Sequence, residues 1–545
     1  MRRILLVLAL LAAVPGWAKP PRLTVFIVVD ALGSDLLLRN RASLKQGLGQ
    51  AIASGAFYPS MRFESSELVT AAGHATLSTG ANPWRHGVVG NRVWNRQTGR
   101  TEPILADPDH PLLEAPPGDD DVSPARLMAE TLADRLRLST RMKGKVIALS
   151  GKARASIPMA GRLGQAWWFH EELGKFVTGT WYAKAPPAWM RSINERKPAN
   201  AWFGTAWRLA LPEKSYAGDD DRAWESDRYG LGRTFPHPIG AGTSAPGPAY
   251  YAALAATPMA GDLLVQMAKA ALEGEQLGRD EQPDLLFVGF SDIDRIYHLF
   301  GPYSWEMQDA LARLDRQLAD LLAAAERAAG GRQNLLVVIT ADHGGAAIPE
   351  EWTAAGVPGA RVKPDELQSG LAHELRRQFK ADLVLGTEEE DVYLDARAIA
   401  ERGLDGAAVR RAAAQWLESR PEIAVAVARD DLSSPFDRAG FARALRLGYF
   451  PERSGDVLFI PRAYHVLIGD QTGTSHATPY GYDAIVPLVL LGKDVRPGLY
   501  RREIPAVDVA PTVAAVLEMA PPAMCEGTVR HEALDGGERR RGSGK

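Results

Sequence analysis

Residues 23 to 30 have the sequence Leu23-Thr-Val-Phe-Ile-Val-Val-Asp30, an apolar run that ends on a carboxylate. A run with so little polar alternation is typical of a strand covered on both faces, as strands are in a parallel sheet. A carboxylate at the end of a buried strand is costly unless a cation or hydrogen bonds satisfy it. Asp30 is therefore either a ligand for a cation or the N-cap of the helix that follows, and this stretch alone does not separate the two.

Similar apolar runs recur along the chain, at residues 146–149, 285–290, 335–339 and 485–491. Amphipathic stretches lie between them, and the clearest places on one helical stripe Leu311, Leu314, Leu318, Leu321 and Leu322. Strands that alternate with helices predict an α/β fold with a mostly parallel central sheet and helices on both faces. In such a sheet, binding and catalytic groups lie at the carboxyl ends of the strands.

The composition is that of a soluble globular protein with a large core, since the 545 residues are 46% hydrophobic and 24% charged. The formal net charge of -3 argues against a general nucleic-acid-binding face, which would be basic. Cys525 is the single cysteine, which excludes disulfides within the chain and thiolate zinc sites of the finger type.

Residues 1–18 have the features of a cleavable secretory signal. Arg2 and Arg3 precede an apolar stretch too short to span a bilayer, and Gly16 and Ala18 are the small residues that cleavage needs. The alternative is a buried N-terminal helix. Cleavage after Ala18 predicts a periplasmic or secreted protein. No later stretch has eighteen uninterrupted apolar residues, so no membrane span is expected after signal removal.

An acid and a histidine follow the apolar run at 285–290. Asp294 and His298 are four residues apart, so a helix would place both side chains on one face, where they can bind one ion. The alternative is an ordinary contact on the protein surface. The position directly after a buried strand favours the metal site.

A second pair follows the run at 335–339. Asp342 and His343 are adjacent and precede two glycines, whose tight turn can direct both side chains at one ion. The alternative is a loop with a capping aspartate. His476, in a loop near the last apolar run, would complete a second metal site.

Three further segments carry groups suited to a phosphate. Thr70 begins a predicted helix over residues 71–78, at a place where backbone N–H groups and the helix dipole favour an anion. The alternative is a plain N-cap threonine. Asn91 supplies an amide donor, and Lys152 and Arg154 supply two cations.

In their order along the chain, these residues resemble the alkaline phosphatase superfamily. They are most similar to its bacterial periplasmic branch, which has a threonine nucleophile and an Asn/Lys/Arg phosphate clamp. The resemblance runs from residue 23 to about residue 515. It rests on Asp30, Thr70-Ala-Ala-Gly-His74, Gly90-Asn91, Lys152-Ala-Arg154, Asp294-x-x-x-His298, Asp342-His343-Gly344 and His476.

The resemblance implies two metal ions, which are expected to be zinc. Carboxylate and imidazole ligands also accept other divalent ions. One zinc is expected at Asp294, His298 and His476. The other is expected at Asp30, Asp342 and His343, with Thr70 as its remaining ligand.

Metal coordination stabilises the alkoxide of threonine, which is otherwise a poor nucleophile at neutral pH. The resemblance therefore implies attack by Thr70, a covalent phosphothreonine and its hydrolysis, with Asn91, Lys152 and Arg154 on the non-bridging oxygens. This branch commonly has an aspartate between the lysine and the arginine, where this chain has Ala153. This departure is expected to affect how the side chains of Lys152 and Arg154 are oriented.

The pair of cations favours small-molecule phosphate monoesters, because a monoester dianion carries more charge than a diester. The alternatives on the same scaffold are a phosphodiesterase or nucleotide pyrophosphatase, and a phosphonate hydrolase or transferase. A sulfatase lacks support because the chain has no Cys/Ser-x-Pro-x-Arg segment, and export disfavours a phosphoglycerate mutase. From a different class, a catalytically silent metal- or phosphate-binding module would not need the hydroxyl of Thr70.

Three long stretches break the alternation of strands and helices, at residues 92–125, 165–250 and 346–470. We expect them to be insertions that form a cap over the carboxyl edge of the sheet. The predicted organisation is a signal peptide at 1–18, one alkaline-phosphatase-like catalytic domain at 19–530 and a disordered tail at 531–545.

Overall fold

The computed structural model describes residues 19–115, 118, 121–433 and 440–535. The predicted signal segment and residues 536–545 of the predicted tail lie outside the described residues. Within the described part of the chain, no helix combines the length and the apolar character needed to cross a membrane.

The described residues form strands β1 (Leu23–Val29), β2 (Ala56–Arg62), β3 (Arg92–Asn95), β4 (Arg100–Pro103), β5 (Val146–Ser150), β6 (Gln165–His170), β7 (Lys175–Val177), β8 (Ala206–Trp207), β9 (His237–Pro238), β10 (Asp284–Phe290), β11 (Leu335–Thr340), β12 (Ala360–Val362), β13 (Val384–Glu388), β14 (Asp391–Leu394), β15 (Ile423–Ala428), β16 (Val457–Pro461), β17 (His465–Leu467), β18 (Ile485–Gly492), β19 (Gly498–Leu499) and β20 (Ile504–Pro505). All five predicted apolar runs are strands, namely β1, β5, β10, β11 and β18.

They also form α-helices α1 (Ser34–Asn40), α2 (Gly47–Ser54), α3 (Thr70–Thr79), α4 (Pro83–His86), α5 (Leu132–Ser139), α6 (Ala153–Ala160), α7 (Ala188–Arg196), α8 (Pro248–Ala255), α9 (Met259–Gly274), α10 (Asp292–Phe300), α11 (Trp305–Ala329), α12 (Pro349–Ala354), α13 (Pro364–Phe379), α14 (Ala396–Glu401), α15 (Gly406–Glu418), α16 (Ala442–Gly448), α17 (Gly481–Ala484) and α18 (Val509–Val516). The predicted leucine stripe lies on α11. This helix ends at Ala329, and the following Gly330 has the left-handed backbone conformation that is common after a helix.

The central sheet has the strand order β19-β2-β18-β11-β1-β10-β5-β6-β7, with β20 beside β2. Strands β11, β1, β10, β5 and β6 are parallel to one another, which confirms the predicted α/β fold with a mostly parallel sheet. Strand β18 is antiparallel to both of its neighbours and makes the sheet mixed. The chain enters β18 from the loop that carries His476 at the carboxyl edge, so it runs back through the sheet.

The register of the three central strands brings their carboxyl ends to one level. Val28 of β1 pairs with Gly289 of β10 on one side and with Thr340 of β11 on the other. The residues that follow these strands therefore emerge side by side. All seven residues of β1 are buried, because α9 and α11 pack together on the sheet and α6 packs on β5 and β10.

Part of the predicted insertion at 346–470 is a small antiparallel sheet, in the order β13-β14-β16-β15. Helices α13 and α15 pack on this sheet and form a second apolar core with it. The turn between β13 and β14, at Glu389, contacts the segment at Gly90 and Asn91. This contact joins the small sheet to the carboxyl edge of the central one.

Two boundaries of the predicted organisation are wrong. Strands β6 and β7 fall in the predicted insertion at 165–250, yet they extend the central sheet, because the buried residues Ala166 to Phe169 lie beside β5. The predicted tail begins too early, since residues 531–533 form a 3-10 helix and Leu534 pairs with Val495.

Candidate active site

Asp30 lies at the carboxyl end of β1, nearly without solvent exposure. Its backbone N–H donates to Phe290, and its Oδ2 accepts from Nζ of Lys152 at 2.6 Å. Helix α1 begins later, after Gly33, and has no side-chain cap. The N-cap interpretation of Asp30 is therefore wrong, and its carboxylate faces other groups of the site.

Helix α10 places Asp294 and His298 one turn apart, as the spacing predicted. Nε2 of His298 lies 3.3 Å from Oδ1 of Asp294, and Nε2 of His476 lies 3.6 Å from the same oxygen. Nδ1 of His298 donates to the carbonyl of Thr474 at 2.9 Å, and Nδ1 of His476 donates to that of Leu68 at 2.8 Å. Both rings are thus oriented with Nε2 towards Asp294, the arrangement that metal-binding histidines show.

A second group consists of Asp30, Asp294 and His343, whose nearest ligand atoms lie within 4.8 Å of one another. Nε2 of His343 is 3.3 Å from Oδ1 of Asp30, and its Nδ1 donates to the carbonyl of Gly344. The rings of His343 and His476 stack with centroids 3.7 Å apart. The two groups therefore form one continuous centre in which Asp294 is shared.

Asp342 lies at the edge of this second group. Its Oδ1 accepts from the N–H groups of Ala31 and His343, and its Oδ2 is 3.6 Å from Nε2 of His343. His74 approaches the same Oδ2 at 3.2 Å while its Nδ1 also contacts the Thr70 carbonyl. His74 thus contacts Asp342 on the side away from the second group.

The electrostatics favour ionised carboxylates at the centre. Burial raises the pKa of Asp294, but His298 and Lys152 hold it well below its usual range. Burial also raises the pKa of Asp342, and His343 and His74 bring it below its usual value. Burial and the charge of His343 hold the pKa of His476 well below its usual range, so its Nε2 keeps a lone pair. Ionised carboxylates and neutral imidazoles are the forms that bind metal. Burial lowers the pKa of His343, but Asp342 and Asp30 outweigh burial and raise it to about 10, so a metal ion at His343 would have to displace its proton.

The unpaired atoms of the centre test whether the residues fit metal ions. Oδ1 of Asp30, Oδ1 of Asp294 and Nε2 of His343 are all buried, and none has a hydrogen-bond partner. Buried polar atoms are nearly always hydrogen-bonded, so atoms of metal-ligand type that approach charged neighbours at 3.3 Å without forming a hydrogen bond favour a cation between them. The donor set therefore fits divalent cations.

Lys152 lies within the carboxylate cluster. Its Nζ contacts Asp294 as well as Asp30, and the residue is almost completely buried. The sequence predicted a contact with phosphoryl oxygens instead. The converging carboxylates of Asp30 and Asp294 attract the nearest cation, and the flexible Lys152 side chain reaches both of them.

Thr70 is the first residue of α3, and the N-cap position is Val69. The plain N-cap interpretation of Thr70 is therefore wrong. A β-carbon at Gly73 would overlap the backbone of Asp342, so this glycine lets the start of α3 lie directly against the metal-ligand segment. Oδ1 of Asn91 accepts from the N–H of Ala71 at 3.0 Å, which leaves its amide nitrogen as the donor end.

Asn91, Lys152 and Arg154 all line a cavity of about 540 Å³, and the hydrogen bond from Ala71 to Asn91 joins the start of α3 to its wall. Nε of Arg154 is buried without a partner, and burial lowers the pKa of this guanidinium. Trp168, Phe169 and the ion pair between Arg295 and Glu171 form another part of the wall. The cavity thus combines an anion-binding end with a partly aromatic wall.

Glu389 is a site residue that the sequence did not indicate. Its Oε1 accepts from the N–H of Asn91 at 2.9 Å, and a β-carbon at Gly90 would overlap its carboxylate. Burial raises the pKa of Glu389 to about 8, while the Asn91 N–H and Arg154 oppose that rise. The only sequence signal is the acidic run from Glu388 to Asp391, which has no spacing that points to Asn91.

The chain is similar in sequence and in structure to proteins that are already known. Residues 24–479 match the family described as type I phosphodiesterase / nucleotide pyrophosphatase. The chain is 29% identical to alkaline phosphatase PafA of Elizabethkingia meningoseptica, over 96% of each chain. It is also 29% identical to alkaline phosphatase PhoV of Synechococcus elongatus, over 95% of this chain and 94% of that one. The crystal structure of wild-type PafA has a TM-score of 0.89 to this structure at 28% identity, and the match covers 94% of this chain and 99% of that one.

Proposed function

This chain belongs to the type I phosphodiesterase / nucleotide pyrophosphatase family of the alkaline phosphatase superfamily, and on that premise we propose that it is a metal-dependent phosphate monoester hydrolase. The observation that carries the proposal is the meeting of two ligand groups at Asp294, next to the start of α3 and the cavity of Asn91 and Arg154. Alkaline phosphatases PafA and PhoV match this chain over nearly their whole length, which supports a monoester substrate.

The donor set supports two metal positions. Asp294, His298 and His476 would hold one ion; Asp30, Asp342, His343 and Thr70 would hold the other. When bound, zinc or another divalent ion would supply Lewis acidity to the nucleophile and to the leaving oxygen.

The proposed hydrolysis of the monoester takes place in two steps. The hydroxyl of Thr70 releases its proton to solvent as its Oγ1 attacks phosphorus, the ester P–O bond breaks, and the alcohol leaves with a proton taken from solvent. Water next attacks the phosphothreonine, the P–Oγ bond breaks, and inorganic phosphate is released as Thr70 regains its proton. Asn91 and Arg154 hold the non-bridging oxygens through both steps, where negative charge accumulates.

Lys152 has a second position in this proposal. Divalent ions at Asp30 and Asp294 would take over the charge that Lys152 now neutralises. The ammonium would then turn towards the phosphoryl oxygens, next to Arg154 in the same cavity. Two cations attract a monoester dianion more strongly than a diester monoanion.

The second candidate function is a phosphodiesterase. The family's description includes that activity, and the aromatic wall at Trp168 and Phe169 could hold a second ester group. We rank it below the monoesterase because Lys152 and Arg154 add charge that a diester does not use.

We further propose export after cleavage at Ala18, small phosphate monoesters as the partners, and no nucleic-acid partner, on the sequence features given above. The small sheet that carries Glu389 would act as part of the cap over the cavity, within one catalytic domain that extends from residue 19 to at least residue 534.

The test is an assay of the purified mature chain on an aryl phosphate and on its matched aryl diester, with metal analysis of the same sample. We expect about two divalent ions per chain, loss of turnover with a chelator, recovery with zinc and a preference for the monoester. A preference for the diester would establish the second candidate, and turnover that survives complete metal removal would contradict both.

A further inference from the structure

We propose that Tyr297 is a positioning residue that holds His476 in place to bind its metal ion, an inference that rests on the proposed function. Tyr297 lies on α10 between the predicted ligands Asp294 and His298, and it is fully buried. Its side chain is not part of the wall of the cavity of about 540 Å³. Any effect of Tyr297 on the reaction therefore passes through other residues of the site.

The hydroxyl of Tyr297 joins two loops that carry predicted metal ligands. It lies 2.9 Å from the carbonyl oxygen of Ala346 and 2.7 Å from that of Ser475. Ala346 is in the loop that follows His343, and Ser475 directly precedes His476. Carbonyl oxygens only accept hydrogen bonds, so the two carbonyls cannot pair with each other. The phenol supplies the hydrogen that both of them share.

The ring of Tyr297 packs directly on the loop that follows His343. A β-carbon at Gly345 would lie 2.3 Å from a carbon of this ring, so only a glycine allows such a close approach. The ring centroid of Tyr297 also lies 5.3 Å from that of His298 and 6.2 Å from that of His476. The ring is therefore confined by its neighbours, which fixes the place of its hydroxyl.

The segment before His476 is bound to the end of α10 by several contacts. The N–H of Thr474 donates to the carbonyl of His298 at 2.9 Å, and Nδ1 of His298 donates to the carbonyl of Thr474 at 2.9 Å. The hydroxyl of Tyr297 adds the next contact along this segment, one residue before His476. Helix α10 thus holds the backbone of the loop that delivers the third ligand to its own metal position.

The backbone directly after His476 needs such support. Ala477 has a φ of 107°, which residues with a β-carbon rarely adopt, and strained backbone of this kind persists only where surrounding contacts hold it. The hydrogen bond to the Leu68 carbonyl fixes the ring of His476, and the Tyr297 contact fixes the backbone before it. Loss of the Tyr297 contact would let the loop relax and move Nε2 of His476 away from Asp294.

The two carbonyls depend on Tyr297 to different degrees. The Ala346 carbonyl also accepts from Oγ1 of Thr474 at 3.2 Å, so it keeps a donor when the phenol is removed. Among the described residues, the Ser475 carbonyl has no donor besides Tyr297. Removal of the hydroxyl should therefore weaken the metal position of His476 more than that of His343. Loss of a group that orients a metal ligand lowers metal affinity by about ten- to a hundredfold.

Zinc titration of the full mature chain, in competition with a chelating dye, tests this inference. Tyr297→Phe keeps the ring and removes only the hydroxyl. We expect the wild type to bind two ions, and Tyr297→Phe to bind one of them about ten- to a hundredfold more weakly. The zinc concentration that gives half-maximal turnover of an aryl phosphate should rise by the same factor.

Tyr250→Phe is the matched control, because Tyr250 is also fully buried and its hydroxyl also donates to a backbone carbonyl, that of Ala199. Both variants should lower the Tm of the metal-free chain, but only Tyr297→Phe should change its zinc affinity. In a His476→Ala background, Tyr297→Phe should add less than about a threefold further loss, because the ligand through which it acts is already absent.

Unchanged zinc affinity in Tyr297→Phe, beside a wild type that binds two ions, would overturn this inference and leave the proposed function standing. A wild type that binds no zinc would overturn both. A full loss that persists in the His476→Ala background would show that Tyr297 acts on the fold in general, and it would overturn the inference alone. Should Tyr297→Phe not fold, Thr474→Val removes the other hydroxyl that donates to Ala346. We then expect zinc binding weaker by at least about threefold, and an unchanged affinity would overturn the inference.

Discussion

Nζ of Lys152 lies 2.6 Å from Oδ2 of Asp30 and also contacts the carboxylate of Asp294. These two aspartates follow different strands, β1 and β10, and each belongs to a predicted metal position. Lys152 therefore joins the two halves of the centre through its charge. A divalent cation and the Lys152 ammonium compete for the same oxygens.

Lys152→Met should destabilise the metal-free protein by about 3–5 kcal/mol, because it leaves two buried carboxylates without their counter-charge. The loss should be much smaller with zinc, which supplies that charge itself. Urea unfolding in chelator and in zinc measures both values. Arg154→Met is the matched control, since Arg154 feels the charges of Asp30 and Asp294 but has no ion pair among the described residues, and it should show a much smaller difference. Equal losses for Lys152→Met in both conditions would contradict the competition.

The sequence predicted those parts of the site that depend on local spacing. Asp294 and His298 meet because α10 is a helix, and the ends of β1, β10 and β11 meet because parallel strands share an edge. These are consequences of regular geometry, so apolar runs and residue spacing suffice to predict them.

Other contacts arise between segments that no periodicity links. Glu389 reaches Asn91 from a turn of a separate sheet, 298 residues away in the chain. The place of Lys152 depends on which carboxylates lie within reach of a flexible side chain. Strand β18 was predicted as a strand, but its direction depends on where the chain enters the sheet. Packing between segments that are distant in the sequence determines the Glu389 contact, the place of Lys152 and the direction of β18.

Thr70→Ala should lower kcat by at least about a thousandfold, because the proposed nucleophile is lost while the ligand groups around Asp294 remain. Thr70→Ser should keep part of the activity, since it retains a hydroxyl on the first residue of α3. Rapid acid quench followed by mass spectrometry should find phosphate on the peptide with Thr70 in the wild type. Undiminished phosphate release by Thr70→Ala would favour a different nucleophile.

Arg154→Ala should lower kcat/KM for an aryl monoester by about a hundredfold or more, because a donor to the charged equatorial oxygens is removed. The loss for the matched diester should be far smaller. Arg295→Ala is the control in the same cavity, since Arg295 is already paired with Glu171 and should affect the two substrates alike. Comparable losses for both esters in Arg154→Ala would count against the monoester preference.

Glu389→Gln should change the pH dependence of stability. Burial raises the pKa of Glu389 from 4.5 to about 8, so the folded protein keeps this proton in a pH range where the unfolded chain has released it. The folded state then binds more protons between these values, and the stability that Glu389 contributes is lost as the pH rises through that range. Glutamine does not titrate, so the variant should gain stability relative to the wild type from about pH 5 to pH 8 and stay level above it.

The free energy of unfolding in urea at several pH values measures this difference, with Glu452→Gln, at an exposed position, as the control. The amide oxygen that Glu389→Gln introduces can still accept from the N–H of Asn91, so turnover should persist in this variant and fall in Glu389→Ala. A difference between Glu389→Gln and wild type that does not vary with pH would show that Glu389 is ionised throughout, because only a proton held by the folded state makes the difference depend on pH.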